Sequence, residues 1–430
     1  MRIAVLGLWH LGTVTAASLA AEGHDVIAID DAAIVDAIAA GSLPVDEPGL
    51  AELIAQERAS GRLAFASDAR AARGAELIWI AYDTPVDDDD RPDVESVLER
   101  ATRFLEAFEG DAVVVVSSQL PVGSVARLEQ RFPGARFSFA SIPENLRLGS
   151  AIAYFRAPDR FVAGVRDARA RAAVERAVGA FAPSVVWMSV ESAEVTKHAI
   201  NAFLATSVTF ANELAQVCER NGADAREVER GLKSDVRVGP KAYVRAGEAF
   251  AGGTLARDLA FLAALGDRDG LALPQLRATA ASNERHRDWA YERVEEACGG
   301  VAGRRVVLLG LVYKPGTNTL RASTALALAR RLHADGAEVI AYDPAIPAGA
   351  TSAGDAVRVV ASAAEALAGA DCAVVGTAWP EFRAIPASAF EAMRARVVID
   401  PPRFLEDALA AVRDLRYVAF GRGRAPQAVS

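Results

Sequence analysis

Two stretches far apart in this 430-residue chain spell the same order: an apolar run of strand length, a glycine, a helical stretch, a second apolar run and an acid. The first passes from a strand over Arg2–Leu6 through Gly7-Leu8-Trp9-His10-Leu11-Gly12 and a helical Thr13 to Glu22, then to a strand over Asp25–Ile29 that ends at Asp30. The second begins after Gly299-Gly300 with a strand over Arg305–Leu309 and Gly310. It continues with a helix from about Ser323 to Gly336 and closes with a strand over Glu338–Tyr342 ending in Asp343-Pro344. Unbroken apolar runs suit parallel strands buried on both faces, and such strands need crossover helices between them. The chain is therefore expected to be α/β, with two Rossmann-like doubly wound lobes. Strands over Leu77–Ile80, Ala112 to Ser117 and Phe137–Ser141 extend the first sheet, and Cys372 to Gly376 and Arg396 to Ile399 extend the second.

Between the lobes, a block from about Ser192 to Arg287 places Ala199, Phe203, Val208, Phe210, Leu214 and Val217 at helical spacing, which predicts a long connecting helix. The expected division is an N-terminal domain over 1–190, a central helical domain over 191–298 and a C-terminal domain over 299–430. A long helix joining two lobes suits a homodimer contact, and a cleft between lobes suits a ligand.

Composition narrows the function. With 52% hydrophobic and 24% charged residues the chain can bury several cores. Its formal charge of −9, with Lys and Arg scattered, argues against a nucleic-acid or anionic-membrane surface and leaves a small molecule as the expected partner. Cys218, Cys298 and Cys372 lie far apart without CxxC spacing, no metal-ligand spacing occurs, and no apolar stretch reaches the roughly 20 residues of a membrane span. A cytoplasmic protein with reduced thiols is expected.

The first glycine turn has the order of a dinucleotide-binding unit, in which the helix N-terminus faces a pyrophosphate and the acid accepts from a ribose 2′-hydroxyl. Gly7, Trp9, His10, Leu11, Gly12 and Asp30 are the candidate cofactor residues, joined by Thr84 and Pro85 after the Leu77–Ile80 strand and by Gln119. Asp30 favours NAD over NADP, because a 2′-phosphate would meet a carboxylate. Trp9 departs from the pattern: it stands where a bare glycine normally lets the pyrophosphate approach.

Lys197 and Asn201 lie four residues apart and so project from one face of a helix, a sensible acid-base group and positioning amide beside a sugar hydroxyl. Around them stand Glu47-Pro48-Gly49-Leu50, Pro121-Val122-Gly123, Pro143-Glu144-Asn145-Leu146-Arg147, Arg237-Val238-Gly239, Gly252-Gly253, Asp258 and Tyr313-Lys314-Pro315-Gly316-Thr317 with Arg321. In that order along almost the whole length, the chain resembles the UDP-glucose/GDP-mannose 6-dehydrogenase family. The resemblance implies NAD in the first lobe and a UDP- or GDP-linked sugar as substrate, with two successive hydride transfers turning the sugar's 6-hydroxyl into a carboxylate. It implies catalytic roles for Lys197, Asn201, Asp258 and Glu144. It also implies substrate contacts through Glu144, Asn145, Leu146, Arg147, Lys197, Asn201, Arg237, Gly252, Tyr313, Lys314 and Arg321.

Members of that family carry out the second oxidation through a cysteine thiolate, and the matching position here is Thr254. The family's loop lysine is absent and Arg257 occupies the basic position directly before Asp258, Gln119 takes the place of a threonine, and Asn318-Thr319 stand where acids are common. A threonine hydroxyl is hardly ionised near neutral pH and needs a dedicated base. Three readings stay open from the sequence: a single two-electron oxidation, the full alcohol-to-acid reaction without a covalent intermediate, and a nucleotide-sugar-binding relative without catalysis.

Overall fold

The computed structural model describes residues 1–423 apart from 46, 86, 88–91, 144–145, 147–148, 180–183, 251–253, 321–322 and 351–353. Its first sheet contains β1 (Arg2–Leu6), β2 (Asp25–Ile29), β3 (Leu63–Ala66), β4 (Leu77–Ile80), β5 (Ala112–Val116), β6 (Phe137–Ser141), β7 (Phe161–Val165) and β8 (Val185–Met188). They run in the order β3-β2-β1-β4-β5-β6-β7-β8, and every neighbouring pair is parallel except β6 and β7. The second sheet contains β9 (Arg305–Leu309), β10 (Glu338–Tyr342), β11 (Arg358–Val359), β12 (Cys372–Val375), β13 (Val397–Asp400) and β14 (Arg416–Ala419), all parallel, in the order β11-β10-β9-β12-β13-β14. In each sheet the chain reverses its direction of travel beside the first strand, and the C-terminal ends of strands at such a switch point are where α/β folds bind ligands.

Alternation along β1 shows why the strands read as unbroken apolar runs. Ile3 and Val5 join the core on one face with Val14, Trp79 and Val115, while Ala4 and Leu6 join the core on the other with Ile78, Ile80 and Val114. In β9, Val306 and Leu308 face one core and Val307 and Leu309 the other. Trp79 is fully buried, and a large side chain at such a position carries about 3–5 kcal/mol against truncation to alanine. The strands that sequence reading missed, β3, β7, β8, β11 and β14, are short or lie toward the sheet edges. Each has positions open to solvent, and β11 and β14 open on an arginine.

The helix expected from Thr13 begins earlier, at His10, and runs to Ala21, because the Trp9 carbonyl already accepts the Thr13 N–H at 3.0 Å. Small buried residues, Gly12 through Ala20, let it lie close on the sheet. The long helix spans Val190–Asn221, 32 residues, and the chain divides within it into two compact units, Met1–Ile200 and Asn201–Ser430. Its buried positions in the second unit are small, including Ala202, Ala205, Ala211 and Ala215, whereas Phe203, Phe210 and Val217 face outward, Phe203 being 71% exposed. The helical spacing thus marks the helix correctly but not the face that packs. Among the described residues, no helix is long and apolar enough to cross a membrane.

Candidate active site

In the first unit the β1 turn is shaped by two glycines with different reasons to be glycine. Gly7 has φ +91°, and a Cβ there would lie 2.6 Å from the Tyr82 backbone; a Cβ on Gly12 would lie 1.6 Å from the Gly7 carbonyl oxygen. No side chain fits at either place. Trp9 lies between them in extended backbone (φ −79°, ψ −160°), which any residue adopts, and its indole is half exposed. The missing middle glycine therefore costs the fold nothing and puts an aromatic ring at the mouth of the turn. The helix that starts at His10 has no side-chain cap and no acid in its first turn, so its N-terminal N–H groups keep their partial positive charge for an anion.

Asp30 closes this turn. Its Oδ2 accepts the Leu8 N–H at 2.6 Å, and its Oδ1 accepts the Asp31 N–H at 2.8 Å and Arg100 Nη2 at 2.5 Å. His10 is tied down as well: its Nε2 lies 2.9 Å from Glu47 Oε2, and Glu47 also accepts the N–H groups of Gly149 at 2.8 Å and Ala151 at 2.7 Å. Burial raises the Glu47 carboxyl, but these donors outweigh it and hold the group below its ordinary range. The Thr84 hydroxyl donates to the Gln119 carbonyl at 2.7 Å, while Pro85 is exposed and Leu11 half-buried.

Lys197 is buried beside the C-terminal ends of β5 and β6, lining a cavity of about 20 Å³ with Ser117, Ser118, Gln119, Glu194 and His198. That volume suits a single water. Glu194 accepts the Gly123 N–H at 2.8 Å and the Val125 N–H at 3.0 Å at the start of the helix Ser124–Arg131, and burial pushes its carboxyl up against their pull. His198, through Nε2, pairs with the Leu120 carbonyl at 3.0 Å. The glycine turn, Thr84, Gln119 and Lys197 thus all lie at the C-terminal ends of the β1, β4, β5 and β6 strands.

In the second unit, Asn201 Nδ2 donates to Asp258 Oδ2, both groups being buried. Four residues before Asp258, Thr254 opens the helix Thr254–Asp269; its hydroxyl is exposed and makes no hydrogen bond to any described residue. The preceding loop is pinned on either side of Glu248. Gly247 donates its N–H to Asn212 Oδ1 at 2.9 Å and accepts from His286 Nε2 at 2.8 Å, and Phe250 exchanges two bonds of 2.9 Å with the Asn283 amide. Burial keeps His286 below its ordinary pKa and so neutral, with the Nε2 proton on the Gly247 carbonyl.

Other expected substrate residues are less gathered. Arg237 is exposed and pairs with Asp235, two residues before it, at 2.7 Å. Tyr313 is 48% exposed in the loop after β9, where its N–H donates to the Thr319 carbonyl; Lys314 is half-buried, its carbonyl accepting from Thr317. Leu146 packs against the core of the first sheet, a structural place. Glu144, Asn145, Arg147, Gly252 and Arg321 lie outside the described residues.

Residues 1–181, 191–285 and 307–407 match, respectively, the NAD binding domain, the central domain and the UDP binding domain of the UDP-glucose/GDP-mannose dehydrogenase family. The chain belongs to that family. It is 33% identical to UDP-glucose 6-dehydrogenase of Rhizobium meliloti (strain 1021), covering 98% of this chain and all of that one. It is 34% identical to UDP-glucose 6-dehydrogenase TuaD of Bacillus subtilis (strain 168), over 89% of this chain and 84% of the relative. Among solved structures, a UDP-glucose dehydrogenase from the archaeon Pyrobaculum islandicum matches with a TM-score of 0.85 at 32% identity, covering 98% of each chain. This protein is an NAD-dependent nucleotide-sugar dehydrogenase of that family.

The first unit fits NAD on its own geometry: a turn that only glycine can make at Gly7 and Gly12, an uncapped helix start, and an acid at the end of β2. Sequence reading missed Arg100, which sits on the helix Val94–Ala107 and reaches Asp30 across 70 positions of sequence. It also missed the anchoring by Asn212, Asn283 and His286. The only sequence sign of Arg100 was a basic residue on an otherwise amphipathic helix; nothing local pointed it at Asp30.

Proposed function

We propose that this dehydrogenase oxidises one alcohol of a UDP- or GDP-linked sugar by a single two-electron step, giving an aldehyde or ketone. The observation that carries the reading is Thr254, an exposed alcohol with no acid or base hydrogen-bonded to it among the described residues; on our reading of the sequence it stands where the family has its thiol. An unassisted alcohol is a poor nucleophile, so the covalent capture that leads from aldehyde to acid has no group to perform it.

What remains is enough for the first oxidation. NAD, held by the Gly7 and Gly12 turn with Asp30 at the end of β2, would supply the acceptor for the hydride of the carbinol carbon. Lys197 takes the hydroxyl proton, directly or through the water its cavity can hold, and the C–O bond becomes a carbonyl. Asn201 holds the oxygen, and Asp258 acts on it as a positioning residue by fixing the amide through their hydrogen bond. The exposed Phe203, Phe210 and Val217 on the long helix support a homodimer formed along that helix. Light scattering that returned the mass of one chain at micromolar concentration would refute the dimer.

NADH formation with a panel of UDP-, GDP-, ADP- and TDP-sugars, with products identified by mass spectrometry, tests the reaction. One NADH per sugar and a carbonyl product is the expected result; two NADH and a uronic acid would overturn it, and sugar-nucleotide binding without turnover would place the chain among non-catalytic relatives. In Thr254→Cys, acid formation should rise by at least about tenfold, since a thiol is both more ionised and more nucleophilic. No rise would remove Thr254 from the account.

A further inference from the structure

The carboxylate that should exclude a 2′-phosphate from the dinucleotide site is not presented to solvent as a free charge. Asp30 is 3% exposed at its side chain, and both oxygens are engaged: Oδ2 by the Leu8 N–H, Oδ1 by the Asp31 N–H and by Arg100. The Arg100 guanidinium lies over the Tyr82 ring, 4.2 Å from its centroid, and its Nη2 also reaches Asp31 Oδ2 at 3.1 Å. Its Nε and Nη1 make no hydrogen bond to any described residue, and the side chain is 28% exposed. The fields of Arg100 and Arg103 both act on the Tyr82 hydroxyl, as do those of Asp30 and Asp31, so the four charges share one neighbourhood.

Position and chemistry together bear on the expectation set by Asp30 alone. The acid ends β2, where a Rossmann site holds the adenosine ribose, and an arginine near that point is the usual means of accommodating a 2′-phosphate. A guanidinium already stacked on an aromatic ring, with its Nε and Nη1 N–H groups unengaged by any described residue, needs little ordering to meet a phosphate oxygen. Its contact with Asp30 cancels the nearest negative charge. Asp31, 77% exposed, also lies beside the guanidinium, at the 3.1 Å contact.

We propose that Arg100 is a specificity-determining residue that lets this site take the 2′-phosphorylated dinucleotide, NADP, as well as NAD, by masking Asp30 and offering its Nε and Nη1 N–H groups to the phosphate. The alternative role is a brace between β2 and the helix Val94–Ala107, in which case Arg100 matters to both dinucleotides alike.

Calorimetric titration of the full chain with NAD and with NADP, without any sugar, separates the two. The unmodified protein should bind NADP within about tenfold of NAD. Arg100→Gln should weaken NADP by roughly 10- to 100-fold, the loss of charge-assisted hydrogen bonds, while NAD changes by less than about threefold. Asp31→Asn should tighten NADP and leave NAD unchanged. Retained NAD binding certifies that Arg100→Gln is folded; should it fail to fold, Arg100→Lys keeps the charge without the planar fork and should fall between the two. Binding of NAD with NADP about a thousandfold weaker, or an equal loss of both in either variant, would overturn the proposal. None of these outcomes depends on which sugar the enzyme oxidises.

Discussion

The two sheets place a glycine, an acid and a helix in the same topological positions and finish them differently. Gly7 and Gly310 both follow the first strand at φ near +90°, and both are pressed on the second residue after the fourth strand, Tyr82 in one unit and Thr377 in the other. Asp30 and Asp343 both reach back to the turn, Asp343 Oδ2 accepting from Leu311 at 2.6 Å and Val312 at 3.1 Å. In the first unit, however, the helix starts at once and uncapped. In the second it is delayed to Thr324 and capped by Ser323, whose hydroxyl accepts the Leu326 N–H, and the extra loop carries Tyr313 and Lys314. The shared parts shape both turns; the first leaves a helix terminus uncapped, whereas the second caps it and places side chains there.

If the shared glycines serve the scaffold of each unit, the largest effects should come from Gly7→Ala and Gly310→Ala. A Cβ at Gly310 would lie 2.5 Å from the Thr377 Cβ, as severe as the contact at Gly7. Left-handed backbone plus a clash against packed neighbours should cost each unit about 3 kcal/mol or more. Denaturant unfolding followed alongside NAD calorimetry should find NAD binding lost in the first variant and kept in the second. Loss of NAD binding in both would break the independence of the two turns.

The acids should separate next. Asp343→Ala strands two buried N–H groups, with the Trp379 indole N–H at 3.3 Å losing its partner too, and should destabilise the second unit by about 2–4 kcal/mol. Asp30→Ala strands only the Leu8 N–H among buried donors to the turn and frees Arg100, so about 1–3 kcal/mol is expected, again read from denaturant midpoints. A larger cost at Asp30 would mean that the Arg100 pair contributes more to the fold than its half-open setting suggests.

Much of this was legible in the residues because it is local. The strands β1, β2, β4, β6, β9 and β10 were readable to the residue, since central strands buried on both faces leave unbroken apolar runs. The strands toward the edges were not, since most of them run for four residues or fewer, too short for a pattern to stand out. Lys197 and Asn201 could be paired from helical spacing alone, but the Asn201 bond to Asp258 joins positions 57 apart and no spacing encodes it. The same limit hid Arg100 beside Asp30, which is why Asp30 read alone speaks only for NAD. Trp9 shows the converse: the sequence flags it as a defect, while its extended backbone shows that the fold tolerates it without strain.

A last contrast sets Glu47 of the first unit against Glu248 of the second. Glu47 collects donors from Gly149, Ala151 and His10 and is held below the ordinary carboxylate range; Glu248 is exposed at a hollow shared with Tyr243, Arg245 and Phe404 and has no hydrogen bond to a described residue. Crowding by protein, with the Asp400 charge adding to it, pushes the Glu248 carboxyl up to about 7. The signs are opposite. For Glu47, whose folded pKa is depressed, the stabilising contribution is present above its ordinary pKa of 4.5 and is lost as pH falls through the folded value. For Glu248 the folded chain holds a proton that the unfolded chain releases, so its contribution is full below 4.5 and is lost as pH rises toward about 7. Glu248→Gln should therefore gain stability relative to the unmodified protein between pH 5 and pH 8. Solvent contact screens the effect to about 1 kcal/mol or less, a rise of roughly 2 °C in Tm for a chain of this size. Glu47→Gln should do the reverse, losing most at pH 8, where the unmodified carboxylate is fully charged and fully bonded. Equal Tm differences at both pH values for Glu248→Gln would show that its surroundings solvate the carboxylate as well as water does.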